Sequence, residues 1–342
     1  MLITADRHAV LTGPGALEVR AAPAPAPGPH DLVIRPDAVG ICGTDLELLA
    51  GSMTYLASGL AGYPIVPGHE WTGLVAATGA EVTGFAVGDR VVGEVPIGCG
   101  RCAQCTSGRY HVCPNRTETG IAGRPGAMAS TLVFPAASAH LLPDGIDAAD
   151  AALVEPLSVA YRGVARAGVQ PGEPLGVVGA GTIGMLAALT AQALGIADVR
   201  LVEADPDRRR FAAEFGLHVS AALDERVPRV VEASGTAGGI AAALETCLDG
   251  GSVVLLGLTG APATPVDLDR VVVRDLTVQG SLGSPGVWPA VVALVASGQV
   301  RPSVLVSHRF GLADAAAAYA LAASREPGVR KVLVLPNQPT DA

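Results

Sequence analysis

Four cysteines, Cys99, Cys102, Cys105 and Cys113, fall within 15 residues in the run GCGRCAQCTSGRYHVC. No other stretch of the chain restricts its own folding so tightly. The spacing C-x2-C-x2-C-x7-C brings four thiolates within reach of one ion, and Zn2+ prefers four soft ligands in a tetrahedron. A closed thiolate set leaves no coordination position for a substrate, so this lobe, about residues 95–115, is expected to be a folding staple holding a structural zinc. The competing reading is two disulfides in a secreted protein. Against it stand the clustering, the length of the chain, and a start, MLITADRHAV, with no basic segment followed by an apolar one. The expected compartment is the reducing cytoplasm.

At 342 residues the chain is too long for one small core and suits two domains. A net charge of −9 provides no basic face for nucleic acid and no polybasic membrane anchor. A four-cysteine nucleic-acid module therefore fits badly. The excess of Ala, Arg, Gly and Pro is what a GC-rich coding sequence would produce, and the single lysine, Lys331, is accordingly given no functional weight. Residues 174–197 carry no charge and are long enough to cross a bilayer, but Gly179, Gly181 and Gly184 interrupt them. A buried strand, a tight turn and a buried helix are expected there instead.

Up to about residue 150 the chain consists of short apolar segments such as DLVIRP, WTGLVAATG, GDRVVGEV and STLVFPA, separated by Gly and Pro, and reads as mostly β. From about 155 to 290 strand and helix patterns alternate, through LGVVG, VRLVE, DRRRFAAEFG, RVVEASG, GSVVLLG and LTVQG, which predicts a parallel α/β sheet. The terminal KVLVLP has the pattern of a strand returning to the first domain.

Gly179-Ala180-Gly181-Thr182-Ile183-Gly184 is a G-x-G-x-x-G turn between a strand and a helix. Missing side chains there let backbone approach a pyrophosphate at the helix N-terminus. Glu203 ends the next strand 19 residues after Gly184, where a carboxylate accepts hydrogen bonds from a ribose and repels a 2′-phosphate. NAD is favoured over NADP, although Arg208, Arg209 and Arg210 follow closely and Arg208 is a candidate phosphate partner. Outside the four-cysteine run, GICGTDLEL and PGHEW offer Cys42, His69 and Glu70. One thiolate, one imidazole and one carboxylate suit a catalytic zinc, which keeps a position for water or substrate. The 27 residues between Cys42 and His69 do not establish such a site by spacing.

The ordered set GICGTD, VPGHEWTG, GDRVVGE, the four-cysteine lobe, VEPLSVA and VGAGTIG resembles the zinc-dependent medium-chain alcohol, polyol and threonine dehydrogenases across nearly the full chain. The resemblance implies a GroES-like β-rich catalytic domain over 1–154, completed by 291–342, and a Rossmann domain over 155–290, with the active site in the cleft between them. It implies Cys42, His69 and Glu155 as ligands of a catalytic zinc, with Glu70 adjacent and exchanging with water. Two zinc ions per chain follow. It further implies Thr44 as the hydroxyl handing on the substrate proton, Asp45 as the carboxylate orienting His69, and assembly as a homodimer or homotetramer.

Where many relatives carry a relay histidine this chain has Glu47, which either replaces it or leaves protons to exit through water. The stretch between Leu217 and Val230 is also shorter than in relatives. Ser52, Thr54, Tyr55 and Ser58 lie in a loop expected to border the substrate, as partners for hydroxyls or as plain loop residues. The implied reaction is hydride transfer between a secondary alcohol of a sugar, polyol or cyclitol and NAD(P). Alternatives are an aminocyclitol or L-threonine-type dehydrogenase, or a zinc-stabilised nucleotide-binding protein without catalysis.

Overall fold

The computed structural model describes residues 6–261, 263–324 and 326–337. It divides into two compact units, one running to Glu155 and resuming at Trp288, the other Pro156–Val287.

In the first unit the strand Asp31–Gly40 is the organising element of a seven-stranded sheet. It pairs antiparallel with Glu70–Thr78 along most of its length, with Leu132–Pro135 near its start and with Lys331–Leu335 at its end. Arg90–Gly93 and Ala139–Leu141 extend one side, and Val306–Gly311 pairs with Lys331–Leu335 on the other. KVLVLP thus returns to this sheet. Its core is dominated by Trp71, Phe134, Ile34, Leu32 and Tyr319, all buried. Trp71 and Phe134 meet edge to face at 5.0 Å, and a Cβ at Gly93 would lie 2.4 Å from both rings. The missing side chain is what lets the aromatic pair close against the strand.

The register places the chemistry. Gly40 lies opposite Glu70 on one neighbouring strand and opposite Leu333 on the other. Cys42 follows two residues later as the N-cap of the helix Gly43–Ala50. Segments far apart in sequence therefore end side by side.

The second unit holds six parallel strands in the order His218–Ser220, Val199–Val202, Leu175–Val178, Val227–Glu232, Cys247–Leu255, Thr277–Gly280. Numbered within the unit this is 3-2-1-4-5-6, the Rossmann arrangement, whose order reverses beside the first strand. Hydrophobic runs such as LGVV, buried at every position, fit strands covered on both faces. His218–Ser220 is a short edge strand the sequence pattern did not reveal. The helix after the glycine turn spans Thr182–Ala193, so Gly184 lies in its first turn and not before it. Among the described residues no helix is long and apolar enough to cross a membrane.

Candidate metal centres and nucleotide turn

In the lobe, Cys99, Cys102, Cys105 and Cys113 each offer a sulfur, and all four sulfurs lie within 4.8 Å of one another. The sulfurs are separated by 3.6 Å for Cys102–Cys105 and Cys102–Cys113 and by 4.0 Å for Cys99–Cys105. A tetrahedron with Zn–S of about 2.3 Å has edges of about 3.8 Å, so the donors fit one zinc. All are free thiols, far outside the roughly 2.05 Å of a disulfide. Backbone N–H groups of Arg101 and Cys102 pull the Cys99 thiol down to about 6 while burial pushes the Cys105 thiol up to about 11, and Asn115 N–H donates to Cys113 Sγ at 3.4 Å. Such donors stabilise thiolates. Tyr110, at the end of the lobe, donates to Glu94, whose other oxygen meets His140 Nε2 at 2.9 Å. His140 in turn stacks on Trp288 at 4.9 Å. The lobe is thereby tied to the sheet.

The second centre is assembled around Asp45. This fully buried carboxylate accepts Cys42 N–H at 2.8 Å through one oxygen and Gly68 N–H at 3.3 Å through the other. The latter oxygen lies 3.7 Å from His69 Nδ1. One side chain thus ties both segments together, while His69 Nδ1 itself makes no hydrogen bond among the described residues. Burial pushes the Asp45 carboxyl up, with His69 opposing. Burial pulls His69 down, but Asp45, the Cys42 thiol and Glu155 outweigh it and hold the imidazole well above its ordinary range.

Donor atoms of Cys42, His69 and Glu70 lie within 4.8 Å of one another. A soft sulfur, an imidazole and a carboxylate are the donor chemistry of a zinc site with an open position. Glu155, at the start of the helix Val154–Ala167, does not join that closest set. It is buried and faces His69, Glu70 and Lys331, and burial pushes its carboxyl up to about 7. Thr44 and Glu47 sit three residues apart on Gly43–Ala50 and so share a face. Glu47 Oε2 is buried with no hydrogen-bond partner among the described residues, and burial raises its carboxyl.

Sequence reasoning missed two residues. Lys331, assigned no role above, is buried and donates to Glu70 Oε1 and Oε2 at 2.9 and 2.7 Å. A lone lysine among arginines was the available signal, and a compositional explanation obscured it. Tyr319, the one aromatic in the helix Ala315–Ser324, is buried with its hydroxyl unpartnered among the described residues, in the field of Asp45, Cys42 and Glu70. In the loop that follows the helix Gly43–Ala50, Tyr55 is engaged by Glu118 and Arg116, both at 3.3 Å, and Ser58 donates to Tyr55 O. These two are committed internally.

In the second unit Gly179 has φ 98°, and a Cβ there would lie 2.9 Å from Ser234 backbone; one at Gly184 would lie 1.7 Å from Gly179 O. Both glycines are dictated by the close fit of turn, strand and helix. Gly181 caps Thr182–Ala193 without a side-chain acceptor, leaving the N–H groups of the first turn, Thr182 and Ile183 included, for an anion. Glu203 accepts Ala180 N–H at 2.7 Å and Asp205 N–H at 2.8 Å, one on each oxygen. Each oxygen keeps a lone pair for a ribose hydroxyl. The Arg208 guanidinium reaches to 3.9 Å from where a Gly181 Cβ would stand. Arg209 instead braces the carbonyls of Glu203 and Ala204, and Arg210 pairs with Asp207.

The sequence matches the families described as Alcohol dehydrogenase GroES-like domain over residues 28–144 and Zinc-binding dehydrogenase over residues 182–297. L-threonine 3-dehydrogenase of Deinococcus deserti is 34% identical over 85% of this chain and 88% of that protein. Sorbitol dehydrogenase of Arabidopsis thaliana is 30% identical over 89% and 88%. A crystal structure from Sinorhizobium meliloti, described as a zinc-binding dehydrogenase bound to NADP, superposes with a TM-score of 0.88 at 31% identity, covering 97% of this chain and 100% of that one. The chain belongs to the zinc-dependent medium-chain alcohol dehydrogenase family. The expected combination of GroES-like and Rossmann folds is borne out.

Proposed function

We propose that this chain oxidises a secondary alcohol of a polyol, sugar or cyclitol to a ketone, with NAD as the favoured hydride acceptor and NADP as the alternative. The observation that carries the reading is the convergence of Cys42, His69 and Glu70 donors within 4.8 Å, a carboxylate-containing set unlike the four-thiolate lobe. When bound, zinc supplies an electrophile that lowers the pKa of an alcohol oxygen, and the nicotinamide supplies the hydride acceptor. Cys42, His69 and Glu155 would hold that zinc, with Glu70 beside it, and the four lobe cysteines a second, structural one. Asp45 orients His69. Thr44 accepts the hydroxyl proton and Glu47, on the same helix face, passes it to solvent. Gly179, Gly181, Thr182, Ile183 and Gly184 seat the pyrophosphate, Glu203 the ribose, and Arg208 contributes the neighbouring positive charge.

We place the catalytic domain in the first unit, the nucleotide domain in the second, and the protein in the cytoplasm. Self-association as a dimer or tetramer is supported by the edge strand Thr277–Gly280, whose outer side pairs with no strand among the described residues, and the exposed Val272, Val273, Val278 and Leu282 around it. The resemblance to L-threonine 3-dehydrogenase supports a 3-hydroxy amino acid as the second substrate class. Purified protein, with its metal content counted, is assayed on polyols, sugars, cyclitols and 3-hydroxy amino acids with NAD and NADP. Two metals per chain and nucleotide reduction with a polyhydroxylated substrate are expected; cofactor binding with one metal and no turnover overturns the reading in favour of a binding protein.

A further inference from the structure

Lysine and arginine together occupy 23 positions in this chain, and Lys331 is the one lysine among them. Its ammonium has three N–H donors and three acceptors around it: Ile41 O at 2.9 Å, Glu70 Oε1 at 2.9 Å and Glu70 Oε2 at 2.7 Å. A planar guanidinium cannot converge three donors from one nitrogen, so this position requires lysine where the rest of the chain uses arginine. Both partners are buried, Lys331 at 3% and Glu70 at 1% exposure. Gly40 completes the arrangement, since a Cβ there would stand 2.1 Å from Glu70 Oε2. The carboxylate can lie against the ammonium only because residue 40 has no side chain. Yet this carboxylate is also one of the three donors gathered with Cys42 and His69. Two cations therefore compete for it.

We propose that Lys331 is a positioning residue that holds Glu70 in reserve, so that the metal is gripped by the other ligands and keeps an open position. The inference rests on the metal reading given above. Removing the ammonium strands a buried carboxylate, whose remaining favourable partner is the metal. Filling the space at Gly40 expels the same carboxylate without altering any charge.

The test uses full-length Lys331→Met, Gly40→Ala and the double variant Lys331→Met/Glu70→Gln, with zinc in the lobe and cobalt(II) exchanged into the Cys42 site. Both single variants are expected to release cobalt to a chelator about tenfold or more slowly, the scale on which groups behind the ligands tune metal affinity. Their d–d bands should weaken as coordination number rises, and the double variant should lose both effects. Wild-type release and spectra in the single variants, or an unchanged effect in the double variant, overturn the proposal. If Lys331→Met does not fold, Gly40→Ala decides alone. A wild-type chain that takes up metal only in the lobe overturns the metal reading and this inference with it. Two metals with unaltered single variants overturn the reserve role alone.

Discussion

The four-thiolate lobe and the Cys42 centre lie in the same unit but are built by opposite means. In the lobe every donor comes from one run of 15 residues, and local backbone N–H groups steady the sulfurs. At the Cys42 centre the groups come from the end of one strand, the start of another, a helix start and the C-terminal strand, and are held together by Asp45 and Lys331. A local centre can form as its segment folds, whereas an assembled one exists only after the sheet has set its register. The lobe is thereby suited to stability and the other centre to chemistry.

The sharpest way to break this contrast is His69→Ala. It should lose one metal, lower alcohol oxidation by at least ~10³-fold, the scale on which a positioned electrophilic group is felt, and leave the lobe metal in place. Measurable turnover at the wild-type rate would end the assignment of that centre. Next in size is Cys105→Ser, which opens the lobe. A few kcal/mol lost there lowers the melting temperature by roughly 10 °C, while turnover per folded molecule at low temperature stays as in wild type. A fall in turnover without a change in melting would reverse the roles of the two centres.

A smaller effect separates the centres by pH. In the metal-free chain burial pushes the Glu155 carboxyl up to about 7 from 4.5. A group raised on folding adds stability while it is protonated, below about pH 4.5, and that contribution is lost as pH climbs through about 7. Glu155→Gln cannot ionise and should flatten this part of the apo stability profile. Urea titrations across the window check it, and an unaltered slope would assign the effect to other buried acids.

These differences also explain what the sequence could reveal. The lobe was legible because its chemistry is contiguous, and the nucleotide turn because its glycines, the strand Val199–Val202 and Glu203 just beyond it lie within one strand-turn-helix-strand unit. Cys42 and His69 stood out only through ordered motifs, since no spacing rule links residues 27 apart whose meeting depends on the pairing of Gly40 with Glu70. Lys331 and Tyr319 were invisible for the same reason carried further. Each stands in an apolar or alanine-rich segment that reads as plain core, and nothing local says that its polar end meets Glu70 or faces Asp45. Three-dimensional convergence, not residue type, gives them their place.

Glu47 offers the finest test of how an assembled centre handles a proton. It lies one helical turn beyond Thr44, with one carboxylate oxygen buried and unpartnered among the described residues. Burial raises its carboxyl, so it becomes a competent base only above the ordinary carboxylate range. If Glu47 carries the proton outward, the acid side of the kcat/KM profile for alcohol oxidation contains its ionisation, and Glu47→Gln removes that limb and lowers the rate several-fold above it. Water relaying from Thr44 would keep the loss small, because the proton still has an exit. A profile superimposable on wild type, measured with the best substrate of the panel, would take Glu47 out of the relay and leave its buried oxygen as a feature of the helix packing alone.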